Sequence, residues 1–236
     1  EADRQPARLR KENHLGSTKP LTRLTTETLT QKKIAVTGGT GMLGSHLVAA
    51  LLDGGCRVKL LVREGSDEGL LKRTLERTGT AALYDRIEFS RTALNNPHEL
   101  DEALQGIDIV FHCAARVSFD PGEADAVVSS NTEMTTHVVN SCLACGVGLM
   151  VHVSSIATLG RPLDAGAPIT EACILNSLVG RTAYGISKIY AENTVLRGMR
   201  QGLRAVIVNP SIILGESDWK RGSAALVALG ARNRLF

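Results

Sequence analysis

Two short arrangements in this 236-residue chain place chemically useful side chains at fixed spacing. Tyr184 and Lys188 stand four residues apart in a segment whose pattern predicts a helix, so both lie on one face. A phenol with an ordinary pKa of about 10 exchanges protons poorly at neutral pH, and a neighbouring ammonium favours the phenolate. Tyr184 could then exchange a proton with a substrate hydroxyl or carbonyl, while Lys188 could also hold ribose hydroxyls. Ser154 and Ser155 follow the short apolar run Leu149–Val153, where a serine hydroxyl could hydrogen-bond the reacting oxygen. Adjacent residues of an extended strand point opposite ways, so one serine serves; Ser155 is the choice and Ser154 the reserve.

A glycine-rich turn supplies the second ingredient. Thr37-Gly38-Gly39-Thr40-Gly41-Met42-Leu43-Gly44 lies between a predicted strand and the apolar helix that continues through Leu52. Glycines at 38, 41 and 44 let the turn tighten, bring backbone N–H groups against a pyrophosphate and pack helix on strand, with the partial positive charge of the helix N-terminus aimed at the ligand. Gly38, Thr40, Gly41, Met42, Leu43 and Gly44 are therefore the candidate dinucleotide-binding set. The end of the second strand, Val62-Arg63-Glu64, bears on which dinucleotide. An arginine there accommodates the 2′-phosphate of NADP, whereas an acid hydrogen-bonds the ribose of NAD. Arg63 favours NADP(H); NAD(H), served by Glu64, is the alternative.

These groups need a frame. From Lys33 onward, short β-branched runs alternate with helical stretches, the pattern of βαβ units and a parallel sheet. Strands are expected at Ile34–Thr37, Val58–Val62, Arg86–Phe89, Ile109–Cys113, Leu149–Val153 and Ala205–Val208, and helices near 42–53, 67–77, 97–105, 124–145 and 182–200. Six strands and five crossovers describe an α/β fold, a doubly wound, Rossmann-type sheet of order 3-2-1-4-5-6, which binds ligands beyond the carboxyl ends of its strands. Residues 1–32 read as a flexible basic tail and 33–236 as the dinucleotide-binding domain.

Composition narrows the field. The chain is 43% hydrophobic and 22% charged, as a globular protein should be, and no run is long and apolar enough to span a membrane. Residues 1–33 hold eight Lys/Arg against four acids, leaving a nearly neutral body with no general field for nucleic acid. Five cysteines are too few for a disulfide scaffold, and their odd number fits a reducing compartment; a cytoplasmic location is expected. Cys142 and Cys145 form a Cys-x-x-Cys at the end of a helix without a second pair, so they read as small core residues, and no metal site is expected. His112 and His152 sit within predicted strands and read as core histidines. Arg181 reads as a solvated loop arginine or a contact for an anionic substrate. One aromatic among charges in Trp219-Lys220-Arg221-Gly222 is too little for a stacking platform.

Taken together, Thr37–Gly44, Val110-Phe111-His112-Cys113-Ala114-Ala115 with Val117-Ser118-Phe119, Val153-Ser154-Ser155, Tyr184-x-x-x-Lys188 and Asn209-Pro210-Ser211-Ile212-Ile213-Leu214-Gly215 resemble the short-chain dehydrogenase/reductase superfamily. The likeness is to its extended branch, the NAD(P)-dependent epimerase/dehydratase family, and within it to the dihydroflavonol-reductase-like members. The resemblance implies a catalytic set of Ser155, Tyr184 and Lys188. It places Gly38, Gly41, Met42 and Leu43 on the pyrophosphate, Ala114 and Ala115 on the adenosine side, and Pro210 to Ile213 at the nicotinamide amide, with Asn131 structural. It also implies a homodimer packed through the 124–145 and 182–200 helices. Where the family usually has Asp-Leu after the third strand, this chain has Ala93-Leu94, which loses a side-chain hydrogen bond to adenine. Family members continue beyond this length, so most of the substrate subdomain is expected to be missing. The expected activity is hydride transfer between a nicotinamide cofactor and a ketone, aldehyde or secondary alcohol. A nucleotide-sugar epimerase or dehydratase, and a non-catalytic NADP(H)-binding regulatory protein, are the alternatives.

Overall fold

The computed structural model describes residues 25–215, apart from 119, 163 and 165. Six strands, β1 (Ile34–Thr37), β2 (Val58–Val62), β3 (Ile87–Arg91), β4 (Ile109–His112), β5 (Leu149–Val153) and β6 (Ala205–Val208), pair in parallel in the order β3-β2-β1-β4-β5-β6. The helices are α1 (Thr26–Thr30), α2 (Met42–Asp53), α3 (Gly69–Arg77), α4 (Pro97–Leu104), α5 (Ala124–Ala144) and α6 (Ala183–Arg200). This is the doubly wound Rossmann-type sheet that the alternation of patterns predicts.

Both faces of the sheet are covered, which is why its strands are short and almost wholly apolar. Ile34, Val36, Val58, Leu60 and Val62 pack with Val48 and Leu52 of α2 and Leu71 and Leu75 of α3. The alternate residues Ala35, Leu61, Val110 and Met150 pack with Leu100 and Leu104 of α4, Val138 and Val139 of α5 and Val195 of α6. Each fully buried Leu or Val contributes on the order of 1.5–3 kcal/mol, so these two layers hold the strand ends in place.

β4 ends at His112, one residue before the expected Cys113, and two larger differences have local reasons. The third strand begins at Ile87 because Arg86 closes a 3-10 turn, Ala81–Arg86, and it runs on to Arg91 in register with Val62. The third helix starts at Gly69, since Asp67 Oδ1 accepts from the Gly69 N–H at 2.8 Å and makes a turn of the preceding residues. The expected flexible tail needs correction at its end: Thr26–Thr30 is helical. A reciprocal capping box between Thr25 and Thr28 starts it, and Leu29 packs on the α2/α3 core, a tertiary contact that local pattern does not reveal. Residues 1–24, like the Trp219–Gly222 stretch and Phe119, lie outside the described residues.

His112 and His152 face one another across β4 and β5, fully buried and stacked with ring centroids 5.3 Å apart. Thr37 Oγ1 accepts from the Ala114 N–H and is hydrogen-bonded to His112 Nδ1 at 2.8 Å, while His112 Nε2 is hydrogen-bonded to Thr135 Oγ1 at 3.1 Å, so a neutral ring donates through one nitrogen and accepts through the other. His152 has no hydrogen-bond partner among the described residues. Burial lowers the two imidazoles from 6.5 to about 3 and about 2, so both are neutral in the folded protein. Unfolded histidines take up protons near pH 6.5 and these do not, so stability falls as pH drops below about 6.5, by about 1.4 kcal/mol per proton and pH unit. His152→Leu should remove one of the two protons from that slope and raise stability at pH 5 more than at pH 8, as urea denaturation at both pH values would read.

Candidate active site

The carboxyl ends of β1, β4, β5 and β6 converge on one cleft edge, and nearly every predicted site residue lies there. Gly38 leaves β1 with a positive φ of 72°, and a Cβ on it would come within 2.6 Å of Ala114 N, in the loop that leaves β4. A Cβ on Gly44 would collide with the Gly38 carbonyl oxygen. Two of the three motif glycines are therefore required by the protein's own packing. Gly41 is not: it is exposed, and a Cβ there would meet only Gly38 O, at 3.3 Å. As the N-cap of α2 it makes no side-chain hydrogen bond, so the first turn of the helix faces outward without a side chain over it. That outward-facing helix end fits a pyrophosphate.

The loop after β6 closes on the same turn. Gly215 passes so near Met42 that a Cβ would meet its Sδ at 3.2 Å, which brings the Pro210–Ile213 segment back from the sheet edge toward α2. Ala114 and Ala115 follow β4 beside Gly38, on a loop held by Asn131: its Oδ1 accepts from Arg116 N at 2.7 Å, and its Nδ2 donates to Arg116 O and Ser187 Oγ, both at 2.9 Å. Thr40 and Leu43 lie in the turn with the glycines and Met42. Arg63 and Glu64 are both exposed just past β2. In the loop after β3 the Ala93 N–H donates to Glu99 Oε2 at 2.7 Å, so a neighbouring carboxylate holds this loop where the family's aspartate is lacking.

On the other side of the cleft, α6 presents Tyr184 and Lys188 along one face. Thr182 starts the helix by accepting from Gly185 N at 3.1 Å. Lys188 is buried, and its Nζ donates to the carbonyl of Val153, the last residue of β5, at 2.6 Å. Desolvation brings its ammonium down to about 8, opposed by the negative charge of Glu192, while burial keeps the neighbouring Cys113 a neutral thiol by raising it to about 11. Burial raises the Tyr184 phenol above its usual value, contrary to the lowering that a nearby ammonium leads one to expect.

The serine pair separates as alternation requires. Ser154 is buried and its Oγ donates to Glu192 Oε2 at 2.5 Å, which commits that hydroxyl. Ser155 begins the 3-10 turn Ile156–Thr158; its Oγ accepts from Ala157 N at 3.1 Å and retains its own proton to donate. Arg181 is a half-buried residue and not a free solvated arginine: its guanidinium donates to the carbonyls of Ala157 and Leu159, each at 2.9 Å. It thereby ties the serine turn to the residues that lead into α6. Arg181, Glu192 and Asn209 were missed as site-building residues; only Glu192 carried a legible signal, standing four residues beyond Lys188 on the same helical face. All five cysteines are free, and no cluster able to hold a metal ion occurs among the described residues. Nor, among them, is any helix long and apolar enough to cross a membrane.

Comparison with known proteins agrees with this geometry. The model of the NAD dependent epimerase/dehydratase family matches residues 34–234. A Synechocystis sp. protein named "Putative dihydroflavonol 4-reductase" is 33% identical over 186 residues, which make up 78% of this chain and 50% of that protein. "Tetraketide alpha-pyrone reductase 2" of Arabidopsis thaliana is 31% identical over 194 residues, 76% of this chain and 58% of that one. Among solved structures, a double mutant of the Streptomyces venezuelae dTDP-glucose 4,6-dehydratase DesIV, with NAD and DAU bound, has a TM-score of 0.70 at 22% identity, a likeness of fold that covers 85% of this chain and 62% of the other. The chain spans little more than half the length of these curated relatives. With the family model covering most of its length and the glycine turn, serine turn and Tyr-Lys helix in the family's order on the family's fold, this chain belongs to the NAD dependent epimerase/dehydratase family.

Proposed function

We propose that the chain carries the cofactor-binding and catalytic groups of an oxidoreductase that prefers NADP(H) and acts on a ketone, aldehyde or secondary alcohol. What supports this reading is that Lys188, on the helix that carries Tyr184, reaches the carbonyl of Val153 at the end of β5, two residues before Ser155, at the same end of the sheet as the glycine turn. A bound nicotinamide would supply or accept the hydride. In the reducing direction the Ser155 hydroxyl donates a hydrogen bond to the substrate carbonyl oxygen, and Tyr184 donates the proton that completes the alcohol. Lys188 orients the cofactor's ribose, and its charge offsets the burial that raises the Tyr184 phenol once positive charge on the nicotinamide joins it. Gly38, Thr40, Gly41, Met42, Leu43 and Gly44 receive the pyrophosphate, Ala114 and Ala115 the adenosine side, Pro210 and Ile213 the nicotinamide end. Arg63, exposed just past β2, takes the 2′-phosphate. The reductase names of the relatives support this direction over dehydration, which calls for an acid–base pair beside the serine, where Ile156 and Ala157 stand.

Three measurements bear on it. Tyr184→Phe should abolish turnover in a screen of ketones and aldehydes while leaving NADPH affinity within a few-fold; unchanged turnover would remove Tyr184 from the chemistry. Arg63→Ala should weaken NADPH binding by about tenfold and NADH binding little, the loss of about 1.4 kcal/mol expected of a charge-assisted phosphate contact; equal losses would leave Arg63 without the 2′-phosphate. The two glycine replacements should separate packing from ligand access. Gly44→Ala should cost roughly 1–3 kcal/mol of stability, although alanine is the better helix former. Gly41→Ala should leave the melting temperature nearly unchanged and impair NADPH binding, and the same melting and fluorescence titrations report both.

A further inference from the structure

Glu192 is the sole acid of α6, and its carboxylate is turned inward to meet two loops. Its Oε2 accepts from Ser154 Oγ at 2.5 Å and from Asn209 Nδ2 at 3.0 Å. The same Asn209 amide reaches Thr158 Oγ1 at 2.9 Å and the Ser155 carbonyl at 3.3 Å, and Thr158 Oγ1 in turn donates to that carbonyl at 2.9 Å. Backbone bonds run parallel to this knot: Ser154 N donates to Val208 O at 2.8 Å, and Ile156 N to Pro210 O at 2.9 Å. One carboxylate therefore joins three elements: the helix of Tyr184 and Lys188, the turn of Ser155 and the loop that opens with Asn209-Pro210. Glu192 stands on the helix that carries Tyr184, so its hydrogen bonds tie that helix to the Ser155 turn alongside those of Lys188 and Arg181.

We propose that Glu192 is a positioning residue that locks the Ser155 turn and the Asn209–Ile213 loop to α6, so that the serine hydroxyl and the tyrosine address the same substrate oxygen. The inference rests on the function proposed above, but its mechanical part can be read without turnover. An amide oxygen can accept the same two hydrogen bonds, whereas an aspartate keeps the charge and is one methylene too short. Glu192→Gln should therefore preserve the lock, and Glu192→Asp and Glu192→Ala should lose it.

The test is amide hydrogen exchange on the whole chain without cofactor, followed by NMR. In Glu192→Ala and Glu192→Asp the Ile156 and Ala157 amides should exchange about tenfold faster or more, with Val36 and Leu60 unchanged, and Glu192→Gln should stay within about threefold of the parent. In the turnover assay the Ala and Asp variants should lose about tenfold in kcat with the KM for NADPH within about twofold. Unchanged exchange at Ile156 and Ala157, acceleration spread evenly through the sheet, or rescue by Asp rather than Gln would each overturn the proposal. Should Glu192→Ala not fold, Ser154→Ala removes one arm of the lock and is expected to speed the same two amides. If Tyr184→Phe leaves turnover intact, the functional reading fails, and the exchange result still decides the lock.

Discussion

The contact on which the site depends is the approach of the Gly38 backbone to Ala114. It brings the exits of β1 and β4 closer than any side chain would permit, and Gly44 then sets α2 against Gly38 by the same means. Once those backbones touch, the direction of the α2 axis follows, and with it the direction in which its first turn faces. Thr37 fastens the arrangement from below, its hydroxyl shared between the Ala114 N–H and the neutral His112. Steric exclusion thus orients the ligand-facing half of the cleft, and a buried hydrogen-bond chain prevents it from relaxing.

The opposite half is organised by polar groups instead of glycines. Lys188 is buried beside a backbone carbonyl, a costly place for a cation unless neighbouring groups answer its charge. Glu192 one turn on does so in part, and the ammonium still comes down to about 8. Burial raises Tyr184 at the same time, so the phenol and the ammonium, nearly matched in free tyrosine and lysine, are driven apart in proton affinity, and the lysine gives up its proton well before the tyrosine.

Much of this was legible in the sequence, and the exceptions share a cause. β1, β2, β5 and β6 match their predicted bounds because an apolar run buried on both faces has clear ends. β3 shifted because it is an edge strand with polar Ser90 and Arg91 at its end, held by pairing with β2 rather than by burial. Five residues from Thr26 give too little periodicity to announce a helix, and Leu29 earns its place only through contact with distant residues. That Ser154 and Ser155 point opposite ways was available from strand alternation, whereas the hydrogen bonds of Arg181 and Asn209 depend on loop carbonyls whose positions no local spacing encodes. The rise of the Tyr184 pKa was hidden for a related reason: a sequence shows which charges are near, and not how much water is excluded around them.

The two ties on the serine turn differ in how they respond to their surroundings. Arg181 grips the Ala157 and Leu159 carbonyls through its guanidinium, a tie that involves no group brought into the neutral range. Lys188, brought down to about 8 by burial, gives up its proton in mildly alkaline solution. The positive charge beside the end of β5 is therefore lost there while the Arg181 ties across the serine turn persist.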